Sequence, residues 1–217
     1  MMDYATARQN MVESQLRPAG IMDARLLRAA AEIPREIFLD PTAQSTAYSE
    51  AAISIAPGRF MLSPLSICWL LQGAAISQSD VVLVVGAGDG YMAALAARLA
   101  STVIGLECDK ALAARAAAQF ARLGLDNIAM IEGSLTAGDA TQAPFDAVIV
   151  NGAVEAGLDP LTAQLANGGR LACVENENGA GQARIYRREA DTVSSRSIRN
   201  ISAPPLPGFA RDKAFTF

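Results

Sequence analysis

The sequence predicts an α/β protein organised on a doubly wound, mostly parallel sheet of seven strands, and three observations carry that prediction. Val81–Val85 is an uninterrupted, valine-rich apolar run, the pattern of a strand covered on both faces. A glycine-rich turn, Gly86-Ala87-Gly88-Asp89-Gly90, follows directly and leads into an alanine-rich helical stretch. Strand-like and helix-like segments then alternate as far as residue 174, and such alternation lays crossover helices against a parallel sheet.

The N-terminal section, residues 1–79, reads as helical. Across residues 3–17, Ala7, Met11, Val12 and Leu16 share one helical face until Pro18-Ala19-Gly20 stops the run. Asp23 has the chemistry of an N-cap for a second helix carrying Leu26, Leu27, Ala30 and Ala31, which ends at Ile33-Pro34. Residues 40–60, rich in Pro, Ser and Gly, read as an irregular connection. A helix from Pro64 to about Ile76 places Ile67, Leu70, Leu71 and Ala74 at helical spacing.

Residues 80–217 form the sheet section. After Val81–Val85, strands are expected at 103–106, 128–131, 147–150 and 170–174. Asp109 caps a helix reaching about Leu123, and a further helix lies around residues 158–165. Residues 183–187 and 192–201 follow one another with no helix between them, as in an antiparallel edge hairpin. No repeat or low-complexity tract divides the chain, so 1–217 reads as a single domain.

Composition narrows the function. With 51% apolar and 18% charged residues, the chain has material for a core and is not disordered. Eighteen Lys and Arg against 22 Asp and Glu, a net charge of −4, argue against a nucleic-acid partner. The sequence contains 0 histidines, which removes imidazole-based hydrolase triads and the commonest metal ligand, so no metal site is expected. Cys68, Cys108 and Cys173 show no CxxC spacing and read as reduced core thiols, which points to the cytoplasm. Residues 60–79 carry no charge, yet Ser63, Pro64, Ser66, Gln72 and Gly73 fit a buried helix better than a membrane span.

In a doubly wound sheet, ligands bind beyond the carboxyl ends of the strands, where the glycine turn lies. A dinucleotide fingerprint places its third glycine where this sequence has the bulky Tyr91, so that reading is weakened. The shorter G-x-G-x-G spacing suits S-adenosylmethionine (SAM) enzymes. Glu107, at the end of the next strand, is placed to accept hydrogen bonds from both ribose hydroxyls. Asp89 reads as a cap for the helix that follows the loop.

Motifs along nearly the whole chain resemble the protein-L-isoaspartate O-methyltransferases. They include Arg8-Gln9-Asn10-Met11-Val12-Glu13-Ser14-Gln15-Leu16-Arg17, Ile33-Pro34-Arg35-Glu36-Ile37-Phe38, the glycine loop with Tyr91, Leu106-Glu107, Phe145-Asp146-Ala147-Val148-Ile149-Val150, and Leu165-Ala166-Asn167-Gly168-Gly169-Arg170-Leu171. The resemblance implies a Rossmann-like class I methyltransferase sheet with extra N-terminal helices. It also implies a cytosolic repair enzyme that methylates the α-carboxylate of L-isoaspartyl residues in damaged proteins or peptides. The candidate cofactor contacts are Gly86, Ala87, Gly88, Glu107 and Ser134; Ser63, Arg59, a cation in the irregular segment, and Asn151, at the switch point, are candidates around the acceptor.

The chain departs from the family pattern at several positions. The segment Gly-x-Thr-Ile-Ser-x-Pro reads Gly58-Arg59-Phe60-Met61-Leu62-Ser63-Pro64, so Phe60 and Leu62 replace two hydroxyls and Ser63 falls one residue late. Val84 and Ser134 stand where the family carries acids, leaving Glu107 as the remaining cofactor-side anion. Tyr48 and Glu50 stand near the family's substrate side. Arg59 reads as a solvated cation, and Arg184, Arg187, Arg188, Arg196 and Arg199 as a soluble sheet edge. These departures imply damage to isoaspartyl transfer rather than to the fold. A non-catalytic binding module and a methyltransferase for a different small carboxylate stay open, with a nicotinamide oxidoreductase more distant. The sequence assigns no oligomeric state.

Overall fold

The computed structural model describes residues 3–177 and 180–211. The outermost residues of the expected domain, 1–2 and 212–217, lie outside that range.

The first helical run is tighter at its start than at its end. Helix α1 (Tyr4–Asn10) is capped by Asp3 and passes into a π-helical stretch, Met11–Leu16. There the Arg17 and Ile21 amides donate five residues back, to Val12 and Leu16. The wider turn buries Met11, Val12 and Leu16 together. Helix α2 (Ala24–Glu32) has the expected cap, with the Asp23 carboxylate accepting from the Arg25 and Leu26 amides. Residues 40–60 are more ordered than expected. Strands β1 (Ile53–Ala56) and β2 (Arg59–Met61) pair antiparallel across Pro57-Gly58 and form a small separate sheet. Helix α3 (Pro64–Ala74) follows, with Pro64 at its first turn and Ser63 as N-cap.

The main sheet contains β3 (Val81–Val85), β4 (Thr102–Glu107), β5 (Ile128–Glu132), β6 (Phe145–Val154), β7 (Leu165–Glu177), β8 (Ala180–Glu189) and β9 (Thr192–Asn200). Its order is β5-β4-β3-β6-β7-β8-β9. The first five strands in that order run parallel, and β8 and β9 close one edge antiparallel, as the sequence predicts. Helices α4 (Tyr91–Ala97), α5 (Lys110–Arg122) and α6 (Asp159–Ala163) lie in the connections.

The pleat of β3 shows why both faces must be covered. Val82 and Val84 enter one apolar cluster with the N-terminal helices, α3 and α4. Leu83 and Val85 enter the other with Phe145, Val148, Leu161, Leu206 and Phe209. The strand order reverses beside β3, with β4 on one side and β6 on the other. The glycine loop therefore opens at the switch point. Among the described residues, no helix is long and apolar enough to cross a membrane.

Candidate active site

The loop after β3 is held from below. The Gly86 and Ala87 amides both donate to the Leu106 carbonyl, at 2.9 and 3.0 Å, which locks the turn to the end of β4. Gly86 has φ of +70°, a conformation that an L side chain adopts only with strain. Asp89 is buried, and one of its oxygens accepts the Tyr91 amide at 2.7 Å. It therefore bonds the first turn of α4, although Gly90 occupies the N-cap position itself. Burial pushes the Asp89 pKa up to about 6, against the opposing pull of the Tyr91 amide and of Arg35.

Glu107 ends β4 with 0% exposure. One oxygen accepts the Cys108 and Asp109 amides at 2.9 and 3.0 Å, and the other accepts the Gly88 amide at 2.7 Å. That second oxygen also carries an ion pair with Arg59, whose Nη2 donates to it at 2.5 Å. Arg59 is 5% exposed, which corrects the reading of a solvated cation. The hairpin is the reason: alternation along β2 sends Arg59 and Met61 inward and leaves Phe60 half-buried on the opposite face.

A second side chain enters from the far end of the chain. The segment 204–206 runs beside the end of β6, with the Ala153 amide donating to Pro204 and the Leu206 amide to Ala153, each at 2.8 Å. Leu206 is thereby laid over two glycines. A Cβ on Gly86 would lie 2.7 Å from Leu206 Cδ1, and one on Gly152 would lie 2.8 Å from Leu206 Cβ. Ile55, from β1, covers Gly88. Asn151, in β6, donates from Nδ2 to the Gly86 carbonyl at 3.0 Å. Its Oδ1 and the Arg59 Nε are buried without hydrogen-bond partners among the described residues.

The expected site residues thus separate into two groups. Gly86, Ala87, Gly88, Glu107, Asn151 and Arg59 converge on one recess. Ser63 and Ser134 do not join them. The Ser63 hydroxyl accepts the Ser66 amide at 3.1 Å and donates to the Ser66 hydroxyl, so it is engaged in capping α3. Ser134 is exposed, 3.2 Å from the Thr136 hydroxyl. Leu62 belongs to the core beside the N-terminal helices. Tyr48 turns inward and donates to Glu36 at 2.5 Å, while Glu50 is exposed. Cys108 is exposed, unlike the buried Cys68 and Cys173. The late arginines have scattered partners: Arg184 pairs with Glu175, Arg187 with Glu189, and Arg199 stacks 4.4 Å from the Trp69 ring.

Sequence reasoning missed Leu206 and the partner of Arg59, because neither contact has a local sequence signature. A nucleoside does not fit the recess as it is arranged. A ribose needs acceptor capacity on Glu107 that Arg59 occupies, and Leu206 fills the space above Gly86. Two surface grooves among the described residues lie elsewhere. One of about 480 Å³ is lined by Ala74, Asp80, Arg170 and Arg196, and another of about 520 Å³ by Glu155, Asp159, Glu175 and Tyr186; neither is lined by Gly86, Gly88 or Glu107.

Comparison with known proteins adds kinship to this geometry. A family profile described as protein-L-isoaspartate(D-aspartate) O-methyltransferase matches residues 6–206. A protein-L-isoaspartate O-methyltransferase of Roseiflexus castenholzii is 37% identical over 210 residues, 95% of this chain and 94% of that protein. One from Methylorubrum extorquens is 37% identical over 205 residues, 94% of this chain and 90% of that protein. A solved structure of a protein-L-isoaspartate O-methyltransferase shares the fold with a TM-score of 0.80 at 21% identity, covering 93% of this chain and 66% of that one. A Plasmodium falciparum structure, described as a complex of such a methyltransferase with S-adenosyl-L-homocysteine, gives 0.78 at 17% identity, covering 95% and 99%.

Proposed function

The chain belongs to the protein-L-isoaspartate(D-aspartate) O-methyltransferase family, the SAM-dependent enzymes that methylate L-isoaspartyl residues in protein repair, and from that membership we propose which of its residues serve the reaction. The cofactor side is the loop Gly86-Ala87-Gly88 with Glu107, and Ser134 stands further out, on the loop after β5. The acceptor side is reached past Arg59 and Asn151, and Ser63 serves it through the start of α3, which it caps. The acceptors are damaged proteins or peptides of the cytoplasm.

The chemistry suits a chain with 0 histidines. A carboxylate acceptor has a pKa of roughly 4 and is ionised at neutral pH, so no base has to remove a proton. The work left to the protein is alignment, and held geometry contributes roughly 7–11 kcal/mol in favourable cases. One observation carries the assignment of the cofactor side: Glu107 is fully buried at the switch point, its carboxylate aimed by three backbone amides. In this arrangement Arg59 occupies that anion, and a ribose binding at the mouth of the sheet takes the place of the guanidinium on it.

The test uses the full chain with methyl-labelled SAM and two peptides that differ only in an isoaspartyl or aspartyl linkage. Label is expected in a base-labile ester on the isoaspartyl peptide alone. Transfer to a small carboxylate but not to the peptide would move the acceptor assignment. No transfer to any carboxylate would overturn the proposal in favour of a non-catalytic module.

A further inference from the structure

We propose that Arg59 and Leu206 form an internal lock on the nucleoside recess, and that Arg59 makes the recess select against a cationic sulfonium. The proposal rests on the reading above only in taking the recess as the cofactor side.

The lock has two parts that arrive independently. Arg59 comes from a two-stranded hairpin outside the main sheet, and its guanidinium takes the Glu107 oxygen that a ribose hydroxyl needs. Leu206 comes from a strand-free segment held to β6 at Ala153, and its side chain fills the cradle left by Gly86 and Gly152. Both carriers adjoin the surface: Pro57, Gly58 and Pro205 are exposed, while Arg59 and Leu206 themselves are buried. Opening therefore asks for local movement of peripheral segments, not for a break in the sheet.

Exchange leaves Glu107 well supported. When Arg59 withdraws, the carboxylate keeps the Gly88, Cys108 and Asp109 amides, and ribose hydroxyls replace the guanidinium as donors. Among the described residues, Arg59 Nε and Asn151 Oδ1 have no hydrogen-bond partner, so this arrangement leaves polar atoms around the recess unpaired. Such a form competes with a ligand that satisfies them. Because only the opened fraction binds, the apparent affinity falls by that fraction.

The charge balance gives the second half of the proposal. With Val84 and Ser134 in place of acids, the anion that meets Arg59 is Glu107, which Arg59 neutralises; Asp89, on the same loop, is engaged by the Tyr91 amide and lies near Arg35. SAM carries a positive sulfonium, whereas S-adenosylhomocysteine carries a neutral sulfur. A guanidinium in or beside the recess therefore penalises SAM more than its demethylated product.

Calorimetric titration of the full chain with S-adenosylhomocysteine and with SAM tests both halves, using wild type, Arg59→Gln, Leu206→Ala and the double variant. Each single variant is expected to bind S-adenosylhomocysteine about tenfold tighter or more, the effect of raising a minor open population. In Arg59→Gln the gain for SAM should exceed the gain for the product. Leu206→Ala leaves the ion pair in place, so it decides the lock alone if Arg59→Gln fails to fold in a thermal melt. Unchanged affinity in the folded variants overturns the lock, and equal gains for the two ligands overturn the charge selection. If the double variant does not bind at millimolar ligand, both the lock and the placement of the cofactor fail. If Leu206→Ala, which keeps Arg59, binds yet transfers no methyl to the isoaspartyl peptide, the lock stands and the proposed function fails.

Discussion

Asp89 offers a direct measurement of what the glycine loop costs the fold. The carboxyl is buried, one oxygen bonds the Tyr91 amide, and the other has no partner among the described residues. Desolvation raises its pKa from 3.8 to about 6, and unfolding returns it to the lower value. Below 3.8 both states hold the proton and the group contributes no pH dependence. Between about 4 and about 6 the folded chain keeps a proton that the unfolded chain releases, so stability falls as pH rises; above that range it levels off. The separation corresponds to about 3 kcal/mol. Asp89→Asn retains an acceptor for Tyr91 and removes the titration. Urea unfolding at intervals from pH 4 to pH 7.5 should show the wild type losing about 3 kcal/mol relative to the variant across this window. Because the new amide donor itself lacks a partner, the slope is a cleaner readout than stability at a single pH. Parallel curves for the two proteins would refute the reasoning.

Other outcomes follow from single contacts. Arg35 is fully buried and donates to the Ala47 and Leu62 carbonyls beneath the Tyr91 ring; Arg35→Met should cost about 2–6 kcal/mol by stranding both acceptors, read by urea unfolding. Gly86→Ala should destabilise by about 1–2 kcal/mol from its left-handed backbone alone, with a further steric loss against Leu206 that Leu206→Ala restores. Ser63→Ala should cost about 1 kcal/mol by uncapping α3, and Ser63→Asp, which caps as well, should recover it in a thermal melt.

The fold was legible wherever a short-range pattern determines it. Val81–Val85 announces a doubly covered strand by composition, and Asp23 and Asp109 announce helix starts, because a side-chain cap acts two or three residues away. The β1–β2 hairpin was missed because its seven strand residues are short runs in a Pro, Ser and Gly-rich stretch. Its one available signal was Pro57-Gly58 between the short runs Ile53–Ala56 and Arg59–Met61. The π-helical turn also escaped, since residues 11, 12 and 16 fit an α-helical face nearly as well.

The sequence by itself determined the kinship, the sheet, the glycine turn and the presence of an acid at the end of β4. Those are local or cumulative properties, expressed by neighbours in the chain. Only the tertiary structure decided what that acid touches. Arg59 and Glu107 are 48 residues apart, and Leu206 meets Gly86 only because the sheet brings the end of β6 beside the end of β3. Whether a cation lies in solvent or on a buried carboxylate depends on which face of a small hairpin turns inward. That choice is made by packing across the whole molecule.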